Sequence, residues 1–212
     1  WIDRTGYLKD SLNFDEMGRL YAKRFDIERT INYIRESFMG GSDFARKAYV
    51  LNMGKEMKAK KIMTMMIDST DYYQPLDKEM FSAMLKNYAE NVDSKYLPDF
   101  YATIKKKFGG NYDLYTEYMY KHSKLTLLNK QVDISSRSFS KDCGYKFGMD
   151  IYDLMTSLSK KMKNINDSIT VQERYLCDAA VRMQQDMPHY SDANFTMRLS
   201  YGTVGGFMLN GA

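Results

Sequence analysis

The residues that could act on a substrate are few and badly spaced for it. A serine or cysteine hydrolase needs a nucleophile beside a base that a third group orients, and only His122 and His189 could be that base. Neither sits in a recognisable catalytic motif: His122 falls at a predicted helix end and His189 follows Pro188 in a turn. Gly-x-Ser-x-Gly, a Walker loop and His-Glu-x-x-His are all missing from the sequence. Gly202-Thr203-Val204-Gly205-Gly206 brings glycines close to a predicted strand, but no helix follows to offer amide groups to a phosphate. Cys143 and Cys177 match no metal-ligand spacing and are either buried free thiols or one disulfide; two small core-facing hydrophobes is the simpler expectation. No catalytic residue, cofactor or metal site is expected in this chain.

The elements around these residues are helical almost throughout. Leu20, Ile27, Ile31, Ile34 and Phe38 recur at helical spacing across 15–39, and Gly40-Gly41 closes that helix. Ser42-Asp43 caps a second, carried by Ala45, Ala48, Tyr49, Met57, Ile62, Met65 and Met66, with Lys55, Lys58, Lys60 and Lys61 on a solvated face. Pro75 opens a third with Leu76, Met80, Met84, Leu85 and Tyr88 inward. A fourth buries Leu97, Tyr101, Ile104 and Phe108 and stops at Gly109-Gly110. The tyrosines at 112, 115, 118 and 120 make a fifth aromatic; a ligand groove is conceivable there, and ordinary packing is the simpler expectation.

Residues 125–140 form a connection and the best internal hinge candidate. Phe147, Ile151, Leu154, Leu158 and Met162 begin a further helix, which a polar stretch at 164–168 is expected to break. Thr170-Val171-Gln172-Glu173, a capping box, would then open the last helix before Pro188. From Phe195 the pattern changes to period two, with Phe195, Met197, Leu199 and Tyr201 alternating with Thr196, Arg198, Ser200 and Gly202, as in a strand. A single strand must find its ladder partners elsewhere.

The stretch from Asp192 to Val204, Asp-Ala-Asn-Phe-Thr-Met-Arg-Leu-Ser-Tyr-Gly-Thr-Val, closely resembles a motif of the bacterial dipeptidyl-peptidase 7 and 11 family. Trp1-Ile2-Asp3, Leu20-Tyr21, Leu76-Asp77-Lys78, Tyr88-Ala89-Glu90-Asn91-Val92, Leu97-Pro98 and Lys107-Phe108-Gly109-Gly110-Asn111-Tyr112-Asp113 resemble that family's inserted region in its order, so the resemblance spans nearly the whole chain. It implies a chymotrypsin-like serine exopeptidase. The His, Asp and Ser of its triad would lie in a double β-barrel outside this sequence, and the groups holding the substrate amino terminus would lie outside it too. The region itself would be a lid over the barrel cleft that helps restrict cleavage to N-terminal dipeptides. Gly205-Gly206-Phe207 departs from the relatives, which often carry a more polar residue after the valine.

The expected fold is therefore all-α: an irregular multi-helix bundle over 1–190, followed by 191–212 as a strand that rejoins a missing β-barrel. Asn194, Thr196, Arg198 and Tyr201 are candidates for the junction, with Arg198 either pairing an acid there or facing the cleft. Expected partners are a peptide substrate in the full-length protein, the intramolecular β-barrel and a second copy in a homodimer of the parent; the resemblance implies a periplasmic or extracellular location. A formal charge of +4 with cations and acids interleaved calls for no nucleic acid, and no apolar run approaches the roughly 18 residues of a membrane span. Opening on Trp1 and closing on Gly211-Ala212, the sequence is expected to be an excised domain. The 17 methionines suit core filling or surfaces that repack as a lid moves. The alternative from a different class is a stand-alone helical module that binds a protein or glycan without catalysis.

Overall fold

The computed structural model describes residues 1–56, 72–127 and 139–185, together with Gly202, Thr203 and Gly205. Over these residues the fold is all-α. A short turn, α1 (Ile2–Thr5), leads to α2 (Phe14–Ile34), which passes through a π-helical stretch, Arg35–Gly40, into α3 (Asp43–Glu56). There follow α4 (Gln74–Asn91), a 3-10 turn at Ser94–Tyr96, α5 (Asp99–Phe108), α6 (Tyr112–His122), two further 3-10 turns and the long α7 (Cys143–Met183). Helices α2 and α3 pack along α7, and α4 packs on α6.

The helix starts follow local chemistry. Asn13, Asn111 and Asp142 each accept a hydrogen bond from an otherwise unpaired first-turn N–H, from Glu16 at 2.9 Å, Leu114 at 3.0 Å and Gly144 at 2.9 Å respectively. Pro75 sits in the first turn of α4, and α5 ends on Gly109 and Gly110, whose φ of +62° and +80° a side chain would disfavour.

The core is aromatic and centres on Phe147 of α7. Its ring lies 4.6 Å from that of Phe100, 5.2 Å from Phe81, 5.9 Å from Phe38 and 6.4 Å from Phe44, so one side chain joins four other segments. Gly144 and Gly148 permit this closeness: a Cβ on Gly148 would lie 2.2 Å from the Ala48 carbonyl oxygen, and one on Gly144 would lie 2.4 Å from Ser123 Oγ. Asn52 then ties α3 to α7, its side-chain nitrogen donating to the Ala48 and Tyr145 carbonyls at 2.9 and 3.1 Å.

Three expectations change. The polar stretch 164–168 does not interrupt α7, which runs 41 residues without a break, about 60 Å at 1.5 Å per residue. Its polar side chains take the outer side while Ile165 and Ile169 turn inward, so packing overrides local preference. Thr170 is consequently no cap; its hydroxyl donates to the Asn166 carbonyl at 2.8 Å inside the helix. In α4 Leu85 and Tyr88 are buried as expected, but Asp77 and Phe81 take the inward positions expected of Leu76 and Met80, leaving Leu76 53% exposed. The cause is Asp77, which is drawn inside to cap α3. The strand expected at 195–201, the hinge around Ser135–Ser138 and the lysines at 58, 60 and 61 lie outside the described residues.

Candidate functional site

None of the potentially reactive side chains among the described residues is assembled for catalysis. His122, in the last turn of α6, directs Nδ1 at the Tyr118 carbonyl of its own helix, 2.8 Å away, and stacks on the Tyr118 ring at 4.5 Å. That is a helix-end contact, with neither nucleophile nor orienting carboxylate. Ser123 does pair with a carboxylate, donating to Asp142 Oδ1 at 2.7 Å, but there is no base beside it, and Asp142 also accepts the Gly144, Tyr145 and Lys124 N–H groups. Its work is to start α7.

Cys143 and Cys177 are free thiols at opposite ends of α7, about 50 Å apart along the axis, so a disulfide between them is impossible within this helix. Cys143 is half-buried and burial pushes its thiol pKa up, the reverse of what a nucleophile needs. Cys177 is exposed and does not face the core as expected. No group of three His, Cys, Asp or Glu side chains among the described residues could hold a metal ion. The tyrosines of α6 are mainly packing residues: Tyr115 and Tyr120 are buried and only Tyr118 is largely open.

A groove of about 420 Å³ lies between α2, the Ser94–Tyr96 turn and α7, lined by Lys23, Asp26, Ile27, Lys95, Tyr96, Lys161, Asn164 and Ile165. Lys95 Nζ stands 3.1 Å from Asp26 and 3.2 Å from Asp93, and the Tyr96 hydroxyl donates to the same Asp26 oxygen at 3.2 Å. These hydrogen bonds, first with Asp26 and then with Asp93, hold the Lys95 pKa above its ordinary value, while the Lys95 backbone N–H lowers that of Asp93. Lys23, Lys95 and Lys161 line this groove with Asp26 over an apolar floor of Ile27 and Ile165, and of these lysines Lys95 alone pairs with the Asp26 carboxylate. Sequence periodicity could not assemble this groove, because its residues come from three segments spread over more than 130 positions.

One carboxyl titrates close to the neutral range. Burial, with Asp99 of α5 and Asp153 nearby, pushes Asp150 up to about 6, although the Phe100 backbone N–H acts the other way. It lies on α7 near the start of α5, where the Phe100 backbone N–H donates to it.

A family model described as Peptidase S46 matches residues 1–212, the whole of this sequence. The chain belongs to the peptidase S46 family. Among its curated relatives, a dipeptidyl-peptidase 7 of Phocaeicola vulgatus is 32% identical over 187 residues, which is 80% of this chain and 26% of the relative. A dipeptidyl-peptidase 7 of Porphyromonas endodontalis is 27% identical over 198 residues, 88% of this chain and 24% of the relative. An Asp/Glu-specific dipeptidyl-peptidase of Porphyromonas gingivalis is 25% identical over 225 aligned positions, 98% of this chain and 31% of the relative. This S46 chain thus spans about a quarter of the length of the first two relatives and somewhat more of the third. Of the residues singled out in the sequence, His189, Asn194, Thr196, Arg198 and Tyr201 lie outside the described residues. No helix of the described residues is long and apolar enough to cross a membrane.

Proposed function

We propose that this S46 chain is the helical cap of a serine-type dipeptidyl-peptidase. It covers the active-site cleft of a catalytic β-barrel formed by the rest of the polypeptide, and it restricts cleavage to dipeptides released from a free N-terminus. The observation that carries this function is the family match across all 212 residues, in a chain whose described part brings no histidine beside a nucleophile. In this reading the catalytic machinery comes from the remaining three quarters or so of the relatives' length.

The ends of the fold support insertion into a larger body. The Tyr7 hydroxyl donates to Asp178 at 2.5 Å and the Arg182 guanidinium lies 4.6 Å from the Tyr7 ring, so the segment entering α2 and the last turns of α7 run side by side. A domain set into another needs neighbouring entry and exit points. A rigid helical body hinged there can exclude water and fix the peptide before the chemistry begins, which strengthens the electrostatic contribution to the barrier. Asn194, Thr196, Arg198 and Tyr201 follow the exit point and would form the junction to the barrel. A periplasmic or extracellular location goes with this function.

The test is to incubate the purified 212-residue chain with a chromogenic dipeptide substrate carrying a free N-terminus. No release is expected. Release that a serine-directed inhibitor abolishes would overturn the assignment.

A further inference from the structure

Helix α2 has two apolar faces, and the fold uses one. Ile27, Ile31 and Ile34 face the core. On the opposite side, Phe14, Gly18, Tyr21 and Phe25 follow one another at spacings of four, three and four, a straight line along the helix about 16 Å long. Phe14 is 58% exposed, Tyr21 39% and Phe25 68%. Isolated exposed apolar residues are common, whereas three aromatics in register on one helix face mark an interaction surface.

Gly18 strengthens the case independently. A glycine inside a helix costs about 1 kcal/mol relative to alanine, and here nothing among the described residues requires it. A Cβ added at Gly18 meets no atom within 4 Å, in contrast to Gly144 and Gly148, whose positions are filled by neighbours. The gap between two outward phenylalanines suits the close approach of a surface from outside. Tyr21 is already fixed for such a contact, its hydroxyl donating to Glu173 of α7 at 2.5 Å, so little side-chain entropy would be lost on docking.

We propose that this stripe is the seat on which the cap rests against the remainder of the same polypeptide, an apolar surface of the part that the relatives carry outside this region. The occupant follows from two facts, given the cap function on which the inference rests. The relatives are about four times as long as the matched segment. The stripe also begins beside the entry and exit points, since the Asn13 backbone N–H donates to the Gln172 side chain at 2.9 Å and Tyr7 to Asp178. Both ends of the described helical body, at Tyr7 and Asp178, therefore lie near the start of the stripe.

Hydroxyl-radical footprinting of the full-length protein tests the seat, because oxidation rates report aromatic side-chain exposure. With each rate normalised to intrinsic reactivity, a free stripe would make Phe25 react more than Tyr118, which is 41% exposed on α6. The seat predicts the reverse, with Phe14 and Phe25 protected by about five-fold as in a desolvated interface core. Gly18→Leu, at a position where an added Cβ meets no described atom within 4 Å, should restore their oxidation with the helical circular dichroism unchanged. Oxidation of Phe25 in line with its exposure would overturn the proposal. So would protection that disappears on dilution, which would identify a second copy as the occupant. The cap function fails separately, if excising the helical region leaves dipeptide specificity intact, whatever the footprint shows.

Discussion

Asp77 and Tyr120 meet inside the fold, the tyrosine hydroxyl donating to Oδ2 of the carboxylate at 2.6 Å. The same carboxylate accepts the backbone N–H groups of Asp43 at 2.7 Å and Phe44 at 3.1 Å, so a side chain of α4 caps the start of α3. Burial, aided by this carboxylate, drives the Tyr120 pKa upward and keeps its hydroxyl a donor. Asp77→Ala would remove the acceptor shared by the Asp43 and Phe44 amides and the Tyr120 hydroxyl in a site only 6% exposed, and should cost about 3 kcal/mol. Tyr120→Phe removes one donor and should cost about 1 kcal/mol. Urea denaturation of the two variants should reproduce that order.

The crossing of α3 and α7 depends on Gly148. With the Ala48 carbonyl 2.2 Å from where a Cβ would stand, and backbone rather than a flexible chain in the way, Gly148→Ala must push the helices apart. A loss of about 2 kcal/mol or more is expected. Gly18→Ala, at an open helix position, should instead raise the thermal midpoint of the isolated chain.

Asp150 supplies a pH signature. Its folded-state pKa, about 6, lies above the ordinary value of 3.8, so the folded state favours the protonated form. The associated stability is fully present below pH 4 and is lost as pH rises through 6. Asp150→Asn, which cannot ionise, should therefore be more stable than the parent at pH 7.5 by on the order of 1 kcal/mol, given the half-exposed site, with the difference vanishing below pH 4. Paired denaturation curves from pH 3.5 to 8 would reveal it; a constant difference across that range would place the effect elsewhere.

Thr170 separates one continuous helix from two. As an N-cap, its replacement by alanine would cost about 1 kcal/mol. As an interior residue of α7 whose hydroxyl bonds back to Asn166, Thr170→Ala should be neutral or slightly stabilising. Asp142→Ala, at the true start of the helix, should be clearly destabilising, because Asp142 accepts from Gly144, Tyr145, Lys124 and Ser123.

Much of this fold was legible because its helices announce themselves locally. Ile27, Ile31, Ile34 and Phe38 keep a helical period, and Pro75 and Gly109-Gly110 punctuate. The failures share a cause: the deciding partner is distant in sequence. Stretch 164–168 resembles a break until Ile165 and Ile169 are placed against the rest of the fold, and the inward turn of Asp77 depends on amides 33 and 34 residues away. The groove around Asp26 and Lys95 has no local signature at all. The stripe of Phe14, Gly18, Tyr21 and Phe25, by contrast, was visible as a second periodic face and is easily overlooked, since a helix is expected to need only one. Asn194, Thr196, Arg198 and Tyr201 are proposed for the junction solely on the family motif.

The most direct test of the cap function is excision in the parent enzyme. Residues 8–177 would be replaced by a short flexible linker, a replacement that the proximity of Tyr7 to Asp178 permits. Labelling by a serine-directed fluorophosphonate would verify that the catalytic part remains folded, while release of dipeptides from free-N-terminus peptides is compared with cleavage of N-acetylated ones. The cap function predicts retained labelling, a loss of dipeptide release of tenfold or more, equivalent to about 1.4 kcal/mol of transition-state binding, and a relative gain for blocked peptides. Unchanged dipeptide release and continued rejection of blocked peptides would contradict it.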